Sequence, residues 1–87
     1  MKKIEKKCWP EYFKKILSED KTFDVRLADW KCNVGDILVL KEWNPQTKNF
    51  TGRSIEKKIT YIAKTKDLKF FKKGEIGKYG FQIIGLK

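Results

Sequence analysis

Thr22-Phe23-Asp24-Val25-Arg26-Leu27 alternates without a break. A period of two sends Phe23, Val25 and Leu27 to one face of a strand and Thr22, Asp24 and Arg26 to the other. Downstream, Asn33-Val34-Gly35-Asp36 reads as a turn, and Ile37-Leu38-Val39-Leu40 as a buried strand continuing to Trp43. Residues 44–49, with Pro45 among polar side chains, form a hairpin loop whose partner strand runs from Phe50 to Lys64. The parity of that strand shifts between Lys57 and Ile62, which predicts a bulge. Tyr79–Leu86 forms a last strand. Upstream, Met1–Cys8 forms a short first strand. Trp9-Pro10-Glu11 then starts a helix, because proline suits the first turn and Glu11 complements the helix dipole. The helix carries Tyr12, Phe13, Ile16 and Leu17 as an apolar stripe and ends near Ser18–Asp20. One helix followed by four short strands with hairpin links predicts a mainly β, α+β chain. The architecture expected is a small closed or partly open barrel with the helix packed beside it.

At 87 residues the chain is read as a single domain, residues 1–87. It holds 21 Lys+Arg against 11 Asp+Glu, a net charge of +10. The charge is unevenly spread: +2 over residues 1–20, zero over 21–44 and +8 over 45–87. A concentrated positive field favours a polyanion, most often nucleic acid. The competing reading is a lysine-rich surface that serves only solubility. Arg26 and Arg53 are the two arginines, and arginine has the planar geometry for bidentate recognition. Histidine is absent, which excludes His-based triads, His zinc sites and Cys–His pairs. Two cysteines, Cys8 and Cys32, are too few for a disulfide framework or a metal site, so no metal and no cofactor are expected. No apolar run approaches a membrane span, and the basic N-terminus lacks the apolar stretch of a signal peptide. A reduced, cytoplasmic location is expected.

Four blocks recur together in this sequence: Lys7-Cys8-Trp9-Pro10-Glu11-Tyr12-Phe13, Lys21-Thr22-Phe23-Asp24-Val25-Arg26, residues 34–45 from Val34-Gly35-Asp36 to Trp43-Asn44-Pro45, and Phe50-Thr51-Gly52-Arg53 with Ile59-Thr60-Tyr61-Ile62. In this order they resemble the short ASCH-like domains of bacteria and their phages, within the PUA-like superfamily. The resemblance covers residues 4–64 and, loosely, the last strand. It implies a PUA-like β-barrel with a helix beside it, and binding of RNA or a modified nucleotide in a cleft between the two. Two positions depart from the family pattern. Glu19 stands where the family usually has glycine, and Trp30 where a basic residue commonly follows the motif arginine.

The candidate binding residues are Lys21, Thr22, Asp24, Arg26, Trp30 and Arg53. Lys21 and Arg26 would hold a phosphate, while Thr22 and Asp24 would hydrogen-bond a base or sugar. A structural reading competes, in which Asp24 pairs with Arg26 along its own strand. Trp30 lies in the polar loop 28–33, off any periodic stripe, where stacking on a base and packing are both open. Trp9, Tyr12, Trp43 and Tyr61 are also candidate base-stacking platforms, with core packing the competing and favoured reading for Trp9, Trp43 and Tyr61. Gly52 marks a turn or close backbone approach, and Arg53 either lines the cleft or caps a loop. The lysine-rich stretch 64–78 would contact phosphates or stay solvated. Some small ASCH-family enzymes resemble amidohydrolases that deacetylate N4-acetylcytidine through a lysine and a threonine three residues later. Here Lys21 matches the lysine, but position 24 is Asp24. A non-catalytic RNA- or nucleotide-binding module is therefore expected, with an amidohydrolase of a modified nucleoside as the alternative.

Overall fold

The computed structural model describes residues 1–67, 77 and 79–87. The chain is mainly β with one α-helix. Strand β1 (Lys3–Cys8) leads directly into helix α1 (Pro10–Leu17). Strands β2 (Phe23–Leu27), β3 (Ile37–Asn44) and β4 (Asn49–Lys64) follow, and β5 (Phe81–Leu86) closes the chain. Much of the lysine-rich stretch, with Phe70, Phe71, Lys72, Lys73 and Glu75, lies outside the described residues.

Helix α1 starts where proline can start it. Pro10 occupies the first turn, and the Trp9 carbonyl accepts from the Tyr12 and Phe13 amides at 3.1 and 2.8 Å. Of the expected stripe, Phe13 and Ile16 are buried, whereas Tyr12 and Leu17 remain half exposed. The helix packs on β3 and ends at Ser18. Glu19 then takes a left-handed φ of 65°, at the position where glycine was expected from the resemblance.

The five strands make one mixed sheet in the order β1-β3-β4-β5-β2. Two features depart from a chain of hairpins. Strand β1 pairs in parallel with β3, from Lys3 opposite Ile37 to Cys8 opposite Glu42, and β2 pairs with β5 rather than with its neighbour β3. Strand β3 and β4 do form the expected hairpin, its loop held by Asn44 Oδ1 accepting from the Gln46 and Thr47 amides. Strand β4 is long enough to serve two neighbours. Its first part pairs with β3 and its last part with β5, and the register shifts between Ile59 and Tyr61, inside the window where the parity change predicted a bulge. Ile59 pins that bend, its amide donating to the Asp36 carbonyl at 2.9 Å and its carbonyl accepting from Gly35 at 2.8 Å.

The core is built from Cys8, Phe13, Ile16, Leu38, Leu40, Ile59, Ile84 and Leu86, with Ile4, Ile55 and Ile62 around it. Each fully buried Leu, Ile or Phe contributes about 1.5–3 kcal/mol by leaving water. The two edge strands, β1 and β2, share no ladder among the described residues, yet Arg26 Nη2 donates to the Lys7 carbonyl at 2.7 Å. The sheet thus curls toward a barrel left open between β1 and β2.

Strand β2 keeps its alternation, with an outcome that period alone does not settle. Asp24 is buried at 5% exposure, while Phe23, Val25 and Leu27 are 45–50% exposed. The charged face of this strand points inward.

A candidate binding cleft between β1, α1 and β2

The gap between the sheet edges holds a cavity of about 550 Å³. The end of β1 gives it Lys7 and Cys8, the start of α1 gives Trp9 and Tyr12, and the turn after α1 gives Lys21. Strand β2 supplies Asp24, Val25 and Arg26.

Asp24 organises the charges. Its carboxylate accepts from Arg26 Nε at 2.6 Å and from Lys21 Nζ at 3.5 Å. Lys21 is aimed by the helix exit: its amide donates back to the Lys15 carbonyl at 3.0 Å. Its ammonium lies 5.0 Å from the Phe23 ring centroid and 5.8 Å from that of Tyr12. Arg26 uses Nε on Asp24 and Nη2 on the Lys7 carbonyl, so its guanidinium is fixed in orientation. Two cations, Lys21 and Arg26, converge on one carboxylate, and Lys7 borders the cleft, so its lining is cationic on balance.

The thiol between them is inert. Burial pushes the Cys8 pKa up, and the neighbouring Asp24 carboxylate pushes it further, against smaller opposing effects of Arg26 and Lys21. Its proton points to the Trp9 carbonyl, 3.8 Å from Sγ. At neutral pH this is a packed neutral side chain rather than a nucleophile. Position 24 is occupied by the Asp24 carboxylate, ion-paired to Lys21 at 3.5 Å, and the motif hydroxyl is that of Thr22.

The other expected site residues lie elsewhere. Thr22 is exposed and absent from the cleft wall; its carbonyl accepts from the Leu86 amide at 2.9 Å. Trp30 packs partly buried against the core, with Lys6 Nζ 4.1 Å above its ring. Arg53 clamps Glu42, with Nε and Nη2 each 2.9 Å from a carboxylate oxygen. Thr51 Oγ1 donates to the same carboxylate at 2.6 Å. A bulge makes this possible. Lys41 pairs with Ser54 and Trp43 with Phe50, so Thr51-Gly52-Arg53 stand opposite Glu42 alone, and Gly52 takes a φ of 94°. The Arg53 hydrogen bond, then that of Thr51, holds the Glu42 carboxyl below its ordinary value. Arg53 also stacks 5.0 Å from the Phe13 ring centroid. It secures the barrel beside Cys8 rather than lining the cleft.

Two residues read as core are surface residues. Trp9 is 47% exposed at the cleft, and Tyr61 is 67% exposed on the sheet. Trp9 and Tyr12, candidate stacking residues from the sequence, line the cleft together with Lys7, which spacing did not reveal. The signal available was the junction Lys7-Cys8-Trp9-Pro10, where a strand turns straight into a helix and must leave its cap residue at a surface. Lys7 also lies 4.3 Å from the Trp43 ring centroid and 6.0 Å from that of Phe50, so the cleft runs into an aromatic and basic strip that includes Lys41, 5.0 Å from Phe50.

No helix among the described residues is long and apolar enough to cross a membrane. No curated protein matches the chain. The family model described as a domain of unknown function (DUF3850) matches residues 4–74, more than half of the sequence, and the chain belongs to that family.

Proposed function

We propose that the chain is a non-catalytic module that binds RNA or a nucleotide in the cleft between β1, α1 and β2. One observation carries this reading: a cavity of about 550 Å³, bordered by Lys7, in which Lys21 and Arg26 converge beside the half-exposed rings of Trp9 and Tyr12. That volume is in the range of small-ligand sites, and rings beside cations suit a base joined to a phosphate. The net charge of +10 would draw a polyanion toward it. The resemblance to ASCH-like, PUA-like domains supports the same reading and the same place for the site. The strip from Lys7 to Trp43 and Phe50 would carry the next nucleotide of a strand, with stacking worth about 1–3 kcal/mol per base.

The test is a titration of nucleoside monophosphates and short single-stranded RNA, followed by Trp fluorescence across a salt series. Binding that weakens steeply with salt, and that Trp9→Ala and Lys21→Ala each reduce, is expected. Absence of binding at low salt would refute the reading. Turnover of N4-acetylcytidine, lost in Lys21→Ala, would replace it with the amidohydrolase alternative.

A further inference from the structure

Among the described residues, one face of the sheet formed by β2, β5 and the last part of β4 is uncharged. Register places Val25 opposite Ile83, and Leu27 opposite Phe81, while Phe23 and Tyr61 flank Gly85 from its two sides. Ala63 completes the set, opposite Ile83. Eight face positions thus carry no charge in a chain whose residues are 37% charged. Six are large, and they are 38–67% exposed. Gly85 keeps the surface low at its centre, since a Cβ there would lie 3.4 Å from Tyr61 Cβ and 3.0 Å from Thr60 Oγ1. An exposed apolar face of this extent marks an interaction site.

We propose that this face is an isologous interface on which a second copy of the chain docks. At about half exposure, six such side chains offer on the order of 600 Å² per copy, so pairing removes about 1,200 Å² in total, the lower end of specific interfaces. The chemistry favours self-association over a charged partner. None of the eight face positions is itself a cation that would meet a carboxylate or phosphate, Lys21 reaching only the rim at Phe23, whereas an apolar patch is complementary to itself under a two-fold axis. The small area and the +10 charge on each copy set the expected affinity in the micromolar range. They also fix the sign of the salt effect. Added salt screens the repulsion between copies and strengthens the dimer, whereas it weakens attraction to nucleic acid.

Sedimentation equilibrium of the full chain across the micromolar range, at low and high salt, tests this. A monomer–dimer equilibrium that tightens with salt is expected, and Ile83→Lys and the milder Phe81→Ser should each weaken it at least about tenfold. Both positions lie on β5, outside the cleft wall, and circular dichroism of each variant checks its fold. A chain that stays monomeric at every concentration and salt, as it would if its own residues 68–76 covered the face, overturns the proposal. So does a dimer that both folded variants leave unchanged.

Discussion

Arg26→Ala should cost the fold about 3 kcal/mol, because this side chain joins the two edges of the sheet. The arginine is 22% exposed and the Asp24 carboxylate 7%, so water replaces the lost partner poorly. The Nε–Asp24 bond at 2.6 Å and the Nη2–Lys7 bond at 2.7 Å are both charge-assisted, and such bonds are worth about 1.5–3 kcal/mol each. The lower end applies to the outer bond, which faces solvent, and Lys21 at 3.5 Å keeps part of the compensation for Asp24. A domain holding about 5–15 kcal/mol survives such a loss in water. With a urea slope of about 1–1.5 kcal/mol/M for a small chain, the unfolding midpoint falls by about 2–3 M. Arg26→Lys keeps the charge but not the fork, and should lose about half as much. Asp24→Asn completes a double-mutant cycle, in which removing both partners costs about 1–2 kcal/mol less than the two single losses together. A loss below about 0.5 kcal/mol in Arg26→Ala, or strict additivity in the cycle, would refute this account of how the edges are joined.

Three further outcomes follow from single residues. Glu19 sits at a φ of 65° past the helix end, so Glu19→Gly should stabilise by about 1 kcal/mol in urea unfolding, and a destabilised variant would contradict the strain argument. Asp36 is held below its ordinary carboxylate value chiefly by the Asn33 and Lys2 amides, and Glu42 by Arg53 and Thr51. Folded pKa values below the unfolded ones give stability that is complete above the unfolded values and lost as pH falls through the depressed ones, so Asp36→Asn should flatten the acid limb of stability against pH. Gln82 is fully buried with Oε1 unpartnered and only a 3.4 Å bond from Nε2 to the Trp30 carbonyl, so Gln82→Met should be neutral or stabilising by thermal melting.

What could be read from residues was what depends on near neighbours. Pro10 after Trp9 located the helix start, the alternation from Thr22 located β2, and the parity change after Lys57 located the bulge at Ile59–Tyr61. Lys21, Asp24 and Arg26 came out together because three positions on one strand and its lead-in share a face. The rest depends on distant partners. Nothing near β1 signals that it will lie parallel to a strand more than thirty residues on. The fate of Arg53 was set by a carboxylate eleven positions earlier and by the Gly52 bulge between them. Trp9 and Tyr12 became cleft residues through the angle at which α1 leaves β1, and Trp30 was drawn from its polar loop onto the core.

Strand β2 joins these observations. Alternation gives a strand two faces but does not say which one the core receives; the partners across the sheet decide that. Here the buried face carries Asp24, tolerable only because Lys21 and Arg26 converge on it, as an unpaired carboxylate would cost several kcal/mol. The same parity then forces Phe23, Val25 and Leu27 outward, where Phe81 and Ile83 meet them. The charged cleft and the uncharged outer face are therefore one choice of register, since a shift by one residue would exchange them. The register that keeps Asp24 and Arg26 inside leaves the apolar set on the surface, where the proposed second copy would dock. The proposed ligand binding and the proposed self-association thus rest on the same strand. Their opposite responses to salt separate them in a single protein sample.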